Sequence, residues 1–455
     1  MLAQVNGQRA FATREARPIA PRTLSMGELT QAESPPEIDL IWFMDDWIGG
    51  IGGQNYRNTG DRRKLGSAKK ILTYPYGTLR PARELRATTL SAAPDNYFPS
   101  GFAVAPNDAS PGSLGVVNEL WAFVGRDVYS GGDDNWTLET EPQALSVFYR
   151  NGLQFDKWAI APAWNSGTDL ANYPGLYIYK DPTTTTWTVS NAAQGRFKFF
   201  TKARNAAGNE ILWGAHNITD TTLTVSGAHT SGVTTLSLSA DPTAKIAVND
   251  MLIVGPVGTA EIMLVTAIQV SPAQCTVIRG YGIAAQAYSG GEKVNLYQPH
   301  VIRSSSDPSN TGSWSSVVTI GVDDQPITGI VADEDTDILY IAKTDGLYTY
   351  FYDFTGGTFI RNLTVEFRQA GHTGNFIGLH YWNKRLLLPM GHGGLLEYDI
   401  ANATIKDISL RISAPTLTDL HGVVVAIASD PQGIYLAVKD VTDNVLHLMA
   451  GHLVD

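Results

Sequence analysis

The feature that most constrains this chain is a repeat. The segments ILYIAKTDGLYTY (338–350), RLLLPMGHGGLLEYD (385–399) and GIYLAVKDVTDNVLHLM (433–449) follow one plan, with starts 47 and 48 residues apart. In each, an apolar strand leads through a polar or glycine turn into a second apolar strand. A unit of that length matches a four-stranded blade of a β-propeller, whose sheets hide their apolar faces against their neighbours in the ring. Weaker copies stand upstream in ELWAFVGRDVYS (119–130), in KWAIAPAW with GLYIYK (157–164 and 175–180), and in RFKFFTKARNAAGNEILWGAH (196–216). Counting the units predicts about six blades, with five or seven also compatible. From about Val117 onward, short runs of Val, Ile, Leu, Tyr, Phe and Trp alternate with Gly, Asp, Asn and Pro turns, and no long window carries a helical period. The expected fold class is therefore all-β. Ring closure would remove exposed sheet edges, and the stretch around Ile71–Leu79 is one source of a closing strand.

The period breaks between Asp220 and Tyr297. The strand-like segments there are TTLSLS (234–239), DMLIVG (250–255), AEIMLVTAI (260–268), CTVIRGYG (275–282) and EKVNLY (292–297). They predict a small β-domain inserted in a surface loop, with LWGAH (212–216) and HVIRSS (300–305) as neighbouring blade strands on either side. The expected organisation is an extended, Gly-rich and basic N-terminal arm over 1–86, a first part of the propeller over 87–219, the insert over 220–297, and the rest of the propeller over 298–455. Residues 1–40 carry Pro18, Pro21, Pro35 and Pro36 with little periodicity, as expected of an arm that orders against something else.

Composition adds two limits. The one cysteine, Cys275, excludes an intrachain disulfide, so stability must come from burial, which fits assembly in a reducing cytoplasm. The N-terminal sequence has no continuous apolar segment of the kind that directs secretion, and no stretch approaches the ~20 apolar residues that span a bilayer, so membrane insertion is not expected. Charge is uneven within the net −11. Residues 1–86 hold 13 Lys/Arg against 9 Asp/Glu, and residues 87–455 hold 20 against 35. The basic cluster Arg57, Arg62, Arg63, Lys64, Lys69 and Lys70 reads either as an arm that docks on an acidic neighbour, such as another copy of the propeller, or as a solvated loop. Nucleic acid is not expected as a partner, because base-stacking aromatics are not interleaved through the cluster.

A second recurrent element has Asp leading through a small-residue turn to Trp and then a strand. It occurs as SGGDDNWTL (130–138), KDPTTTTWTVS (180–190) and SSDPSNTGSWSSVV (305–318). The last resembles the Asp-box hairpins of sialidase-like propellers. That resemblance assigns Asp307 to the turn amides and Trp314 to packing between blades, and an ordinary hairpin with a buried Trp would yield the same blade. Trp136 and Trp187 occupy the matching positions and read as packing residues.

The insert carries a more specific resemblance. VTTLSLS, VNDMLIV, AEIMLVTAI and CTVIRGYGIAAQAYSGGEKV are similar to a small β-module that recurs in tailed-phage virion proteins. Glu261–Thr266 and Arg279-Gly280-Tyr281-Gly282 match its motifs, and Asn249-Asp250 stands where Gly-Asp is usual. Ile283 and Tyr288 stand where Thr and His are common. A second resemblance lies in DDWIGGIGGQNYRNTGDRRKLGSAKKILTYPYGTLRP (45–81), similar to an opening found before propellers in phage structural proteins. There Gly49, Gly50, Gly52 and Gly53 would let the backbone turn around Trp47 and Tyr56. Together these resemblances imply a non-enzymatic virion component of a tailed phage, placed in the tail as nozzle, tip or fibre attachment and assembled in the host cytoplasm. They name Trp47, Tyr56, the basic cluster, Arg279 and Tyr281 as interface candidates. The partners expected are other virion proteins and further copies of the chain, with a host surface glycan or receptor as an alternative.

No catalytic motif competes with that reading. The nine histidines form no HExxH and no ligand pair joined to cysteines, so no metal site or cofactor is expected. His372 and His392 sit in glycine turns, and the acidic run 333–337, with Asp323 and Asp324 upstream, lacks the spacing of a calcium loop. A sialidase-like glycosidase is a further alternative, but the few arginines after residue 150 show no motif that would group three on one face.

Overall fold

In the computed structural model the described residues are 99–107, 117–132, 135–139, 147–165, 175–181, 186–204, 209–255, 260–281, 284–321, 325–333, 338–352, 358–363, 375–391, 394–408, 422–430, 433–440 and 446–451, with four short strands before them. The chain divides into two units, Met1–Ala87 and Thr88–Asp455. In the first, β1 (Leu2–Val5) pairs antiparallel with β2 (Gln8–Phe11), and β3 (Ile71–Leu72) with β4 (Arg80–Pro81). Trp47, Tyr56, Arg57, Arg62, Arg63, Lys64, Lys69, Lys70 and the four glycines Gly49, Gly50, Gly52 and Gly53 lie outside the described residues.

The second unit is all-β, with only two short 3-10 turns among its described residues. Blade 1 is β5 (Pro99–Asn107), β6 (Val117–Val124), β7 (Asp127–Gly132) and β8 (Asn135–Leu138), each strand antiparallel to the next. Blade 2 has a bent first pair. β9 (Val147–Tyr149) and β10 (Leu153–Phe155) run against β11 (Trp158–Ala161) and β12 (Ala163–Asn165), followed by β13 (Ile178–Lys180) and β14 (Thr188–Val189). Pro162, which has no N–H to donate, separates β11 from β12.

Blade 3 begins with β15 (Arg196–Arg204) and β16 (Glu210–Thr224). The chain then leaves for β17 (Thr235–Ser237), β18 (Met251–Val254), β19 (Glu261–Gln269) and β20 (Gln274–Ile278) before returning in β21 (Lys293–Ser305) and β22 (Val318–Thr319). Blade 4 is β23 (Ile327–Ala332), β24 (Ile338–Lys343), β25 (Gly346–Tyr352) and β26 (Thr358–Leu363). Blade 5 is β27 (His380–Trp382), β28 (Arg385–Pro389), β29 (Leu395–Asp399) and β30 (Thr404–Asp407). A three-stranded sheet of the same order follows: β31 (Gly422–Asp430), β32 (Gly433–Asp440) and β33 (Leu446–Gly451).

Local chemistry explains the hairpins. Asn383 and Lys384, both at positive φ (48° and 62°), make the two-residue turn between β27 and β28, the mirror-image turn whose twist matches that of the strands it joins. Gly125, at φ 60°, does similar work between β6 and β7.

The core is a series of seams between blades rather than one central mass. Trp121, Phe123, Tyr149 and Trp187 fill the seam of blades 1 and 2. Tyr177, Phe197, Phe200 and Trp314 fill that of blades 2 and 3, and Trp213, Ile302, Ile330 and Tyr350 that of blades 3 and 4. Tyr340, Leu386 and Leu388 join blades 4 and 5. Leu387 and Leu395 meet Val424, Leu436 and Val438 of the last sheet. Each aromatic at a seam buries a large apolar area on two blades at once, which sets their mutual angle.

β16 and β21 continue beyond the blade and pair as far as Thr224 and Lys293. Register shifts at Ala215/Asn217 and Asp220/Leu223 coincide with His216 and Thr222 at positive φ (58° and 66°). These bulges turn the long ribbon where the extra strands begin. The strand order β15-β16-β21-β18-β19-β20-β17 shows that those strands extend the blade's own sheet through β18 against β21. They enclose a separate core of Leu223, Leu236, Leu252, Met263, Val265, Cys275, Val277 and Val294. Cys275 is buried there as a free thiol that burial pushes up to about 11.

Candidate functional site

The inserted strands hold the motif residues that the sequence singled out. β20 alternates, with Cys275 and Val277 turned into the core and Thr276 and Ile278 outward. Arg279 follows, and its side chain turns inward. Its side chain is 6% exposed and meets the fully buried Glu261 at the start of β19. Nε donates to Oε1 at 3.0 Å and Nη2 to Oε2 at 2.5 Å, the two-pronged geometry that suits a guanidinium and a carboxylate. Nη1 also donates to the carbonyls of Thr230 (2.9 Å) and Val233 (3.1 Å), and Nη2 to that of Gln286.

Glu261 receives three further donors, the Gly280 N–H at 2.8 Å, the Gln286 N–H at 2.8 Å and the Tyr288 hydroxyl at 2.9 Å. Burial pushes its carboxyl up, and the bonds from Arg279, Gln286, Gly280 and Tyr288 outweigh it, holding the group below its usual range. Glu261 in turn raises the Arg279 guanidinium, and burial raises the Tyr288 hydroxyl. Tyr288 stands where the resembling modules commonly have His, and here it supplies the bond that completes the carboxylate's shell. The sequence marked Tyr288 only as a departure, and nothing in its spacing could have revealed the contact.

Tyr281 behaves differently. Its N–H donates to the Ile262 carbonyl at 3.0 Å, while its side chain stays 39% exposed. Ile278, registered opposite Leu264, is 50% exposed. Val233, Val248 and Val270 of the same stretch are also exposed, so the inserted strands carry most of the large exposed apolar side chains among the described residues. The ion pair faces inward and anchors the loop that leaves Tyr281 outside.

The hairpin between β21 and β22 has the expected Asp turn. Asp307 Oδ1 accepts from the Ser309 N–H (2.9 Å) and hydroxyl (2.6 Å), and Asn310 Oδ1 accepts from the Gly312 N–H at 2.9 Å. The Pro308 carbonyl accepts from Tyr177 (2.7 Å) and Gln194 (2.8 Å), which ties the turn to blade 2 and to the entry of β15. Trp314 stacks on Phe197 at 4.6 Å and meets Tyr177 edge-on at 6.0 Å. Trp187 meets Trp121 edge-on at 5.3 Å, and Trp136 is buried against Ala122, Val124 and Tyr129. All three tryptophans pack at or just before a blade's fourth strand.

Among the described residues no group of three or more His, Cys, Asp or Glu is placed to hold a metal, and no helix is long and apolar enough to cross a membrane. His372, His392, Asp323, Asp324 and residues 334–337 lie outside the described residues. Asp333 is described, and it accepts from Tyr381 at 2.7 Å and Lys384 at 3.2 Å as a link between blades 4 and 5.

Among the described residues, the sheet order defines a β-propeller with five four-stranded blades and a further three-stranded sheet. No family model matches the chain, and no curated protein does. Among solved structures it aligns with Sqt1 of Saccharomyces cerevisiae at 8% identity, over 79% of this chain and 86% of that one, with a TM-score of 0.34. It also aligns with YCF48 from Cyanidioschyzon merolae at 10% identity, over 79% and 97%, TM-score 0.34. The computationally designed Ika8 protein aligns at 10% identity over 79% and 98%, TM-score 0.28. At those scores the alignments carry no argument about activity or partner.

Proposed function

We propose that this chain is a structural, non-enzymatic component of a tailed-phage virion, associated with the tail and acting through contacts with other virion proteins and with further copies of itself. The observation that carries the reading is the match of Glu261–Thr266 and Arg279–Gly282 to a module recurrent in such proteins. The placement of those residues supports it, because Glu261 and Arg279 hold the loop from inside while Ile278 and Tyr281 remain available outside. An apolar outer face on strands continuous with a rigid blade suits docking, since ordering it costs little entropy on binding.

Particle imaging is the test. Density for the propeller at a fixed, symmetry-repeated position in a phage tail is the expected result. Purified chain that stays monomeric at high concentration and is missing from particles would rule the proposal out.

A further inference from the structure

Among the described residues, a lysine on the first strand of blade 3 has no carboxylate to answer it. Lys198, in β15, is 6% exposed, and its ammonium lies 4.4 Å from the ring centroid of Trp164 in β12. The guanidinium of Arg150, between β9 and β10, lies 4.3 Å from the same indole. Trp164 is fixed in place, its Nε1–H donating to the Lys198 carbonyl at 2.8 Å and its ring meeting Phe199 edge-on at 5.5 Å. Among the described residues, the other titratable groups around the ammonium are also basic. His216 of β16 is enclosed beside it, with Nδ1 3.4 Å from the Ile327 carbonyl and Nε2 3.2 Å from the Tyr297 hydroxyl, and His300 of β21 is near enough to His216 to act on it electrostatically.

Attraction to an indole face offsets only part of the cost of burying an ammonium, and it leaves the positive charge uncancelled. Buried charges in folded proteins are normally paired. Here neither Arg150 nor Lys198 has an acidic partner among the described residues. Arg150 is exposed while Lys198 is buried, so the pair makes a rim and a floor.

We propose that Arg150 and Lys198 form a binding site for an oxyanion, a carboxylate or phosphate group, carried by a ligand that enters from the Arg150 side. A planar guanidinium supplies forked donors to such a group, and the ammonium supplies a point charge beneath it. Both cations meet the ring of the one indole, Trp164. Burial, and then Arg150, pull the Lys198 ammonium down to about 7. An arriving oxyanion reverses that pull, so binding takes up a proton near neutral pH.

Thermal melts of the full chain in rising sulfate or acetate test the site, because both anions keep their charge from about pH 6 to 8.5. The wild type should show a saturable rise in melting temperature, at lower anion concentration at pH 6 than at pH 8.5. Lys198→Met keeps the stem and removes the charge, and Arg150→Met removes the rim; each should weaken the apparent affinity about tenfold. Sulfate also stabilises proteins without saturation by exclusion from their surface, so the difference between wild type and variants is the readout. A preference for sulfate assigns a phosphate-like ligand and one for acetate a carboxylate. A wild type with no saturable response, or variants that respond as the wild type does, would overturn the site. Should Lys198→Met fail to fold in anion-free buffer, the surface variant Arg150→Met decides alone.

Discussion

Glu261 and Arg279 close a two-pronged ion pair inside the inserted strands of blade 3, with both side chains almost wholly withdrawn from water. Removing one partner leaves the other charge buried and uncompensated, which costs more than the pair contributes when intact. Arg279→Met should therefore destabilise these strands by about 3–5 kcal/mol. Tyr288→Phe, which removes one of several donors to the carboxylate, should cost nearer ~1–2 kcal/mol. Hydrogen exchange of β18, β19 and β20 amides measures both, and equal protection in wild type and Arg279→Met would contradict the assignment.

The same carboxylate sets an acid limit. Its folded value lies below the ordinary 4.5, so the stability it contributes is present above about pH 4.5 and is lost as pH falls through the lower folded value. Melting followed from neutral pH downward should show that loss, and Glu261→Gln, already weaker at neutral pH, should show a flatter fall.

Two histidines and a lysine act in a higher window. Burial holds His216 well below 6.5 and His380 below it, and His380 Nε2 lies 2.7 Å from Ser429 Oγ where blade 5 meets the last sheet. The unfolded chain takes up protons that these buried rings refuse, so their contribution is complete above about pH 6.5 and declines below it. Lys198 acts with the same sign between about 7 and its ordinary 10.5. Denaturant midpoints should fall from pH 8 to 5.5, and His380→Gln should flatten the lower part of that curve. A midpoint independent of pH over this range would count against neutral burial of the rings.

Seam aromatics should dominate stability. Trp314→Ala removes the stack on Phe197 and the edge contact with Tyr177, and an aromatic-to-alanine change at such a site costs about 3–5 kcal/mol. Asp307→Ala removes only the turn bonds to Ser309 and should cost about 1 kcal/mol. Gly152 is the opposite case. A Cβ there would lie 1.9 Å from Phe123 Cε2 across the seam of blades 1 and 2, so Gly152→Ala should destabilise by about 1–3 kcal/mol through overpacking. Chemical denaturation ranks the three, and a Trp314→Ala as mild as Asp307→Ala would refute the seam account.

The extra strands should also be removable. β16 and β21 pair at Thr219 and Leu296, so replacing residues 220–295 with an Asn-Gly turn should leave blade 3 as an ordinary hairpin. The shortened chain should keep its β circular dichroism and cooperative melt, and should lose association with particles if the outer face around Tyr281 carries it.

Much of this architecture was legible in one dimension. The spacing of 47 and 48 residues and the period-two apolar strands determined the blade as the unit, because a half-buried sheet must repeat its pattern to bury each face on the next sheet. The tryptophans before fourth strands, the Asp307 turn and the break in period after Asp220 were legible for the same reason: each is a local feature of turn or strand. Tertiary structure alone decided which residues meet across those strands. Arg279 reads in the sequence as an interface candidate in a recurrent motif, and it turns inward because the 18 residues back to Glu261 are folded into adjacent strands. Arg150 and Lys198 carry no motif at all, and only the approach of blades 2 and 3 sets both over Trp164. An alternating pattern records that a side chain has an inner and an outer face to choose between, and long-range packing supplies the neighbour that makes the choice.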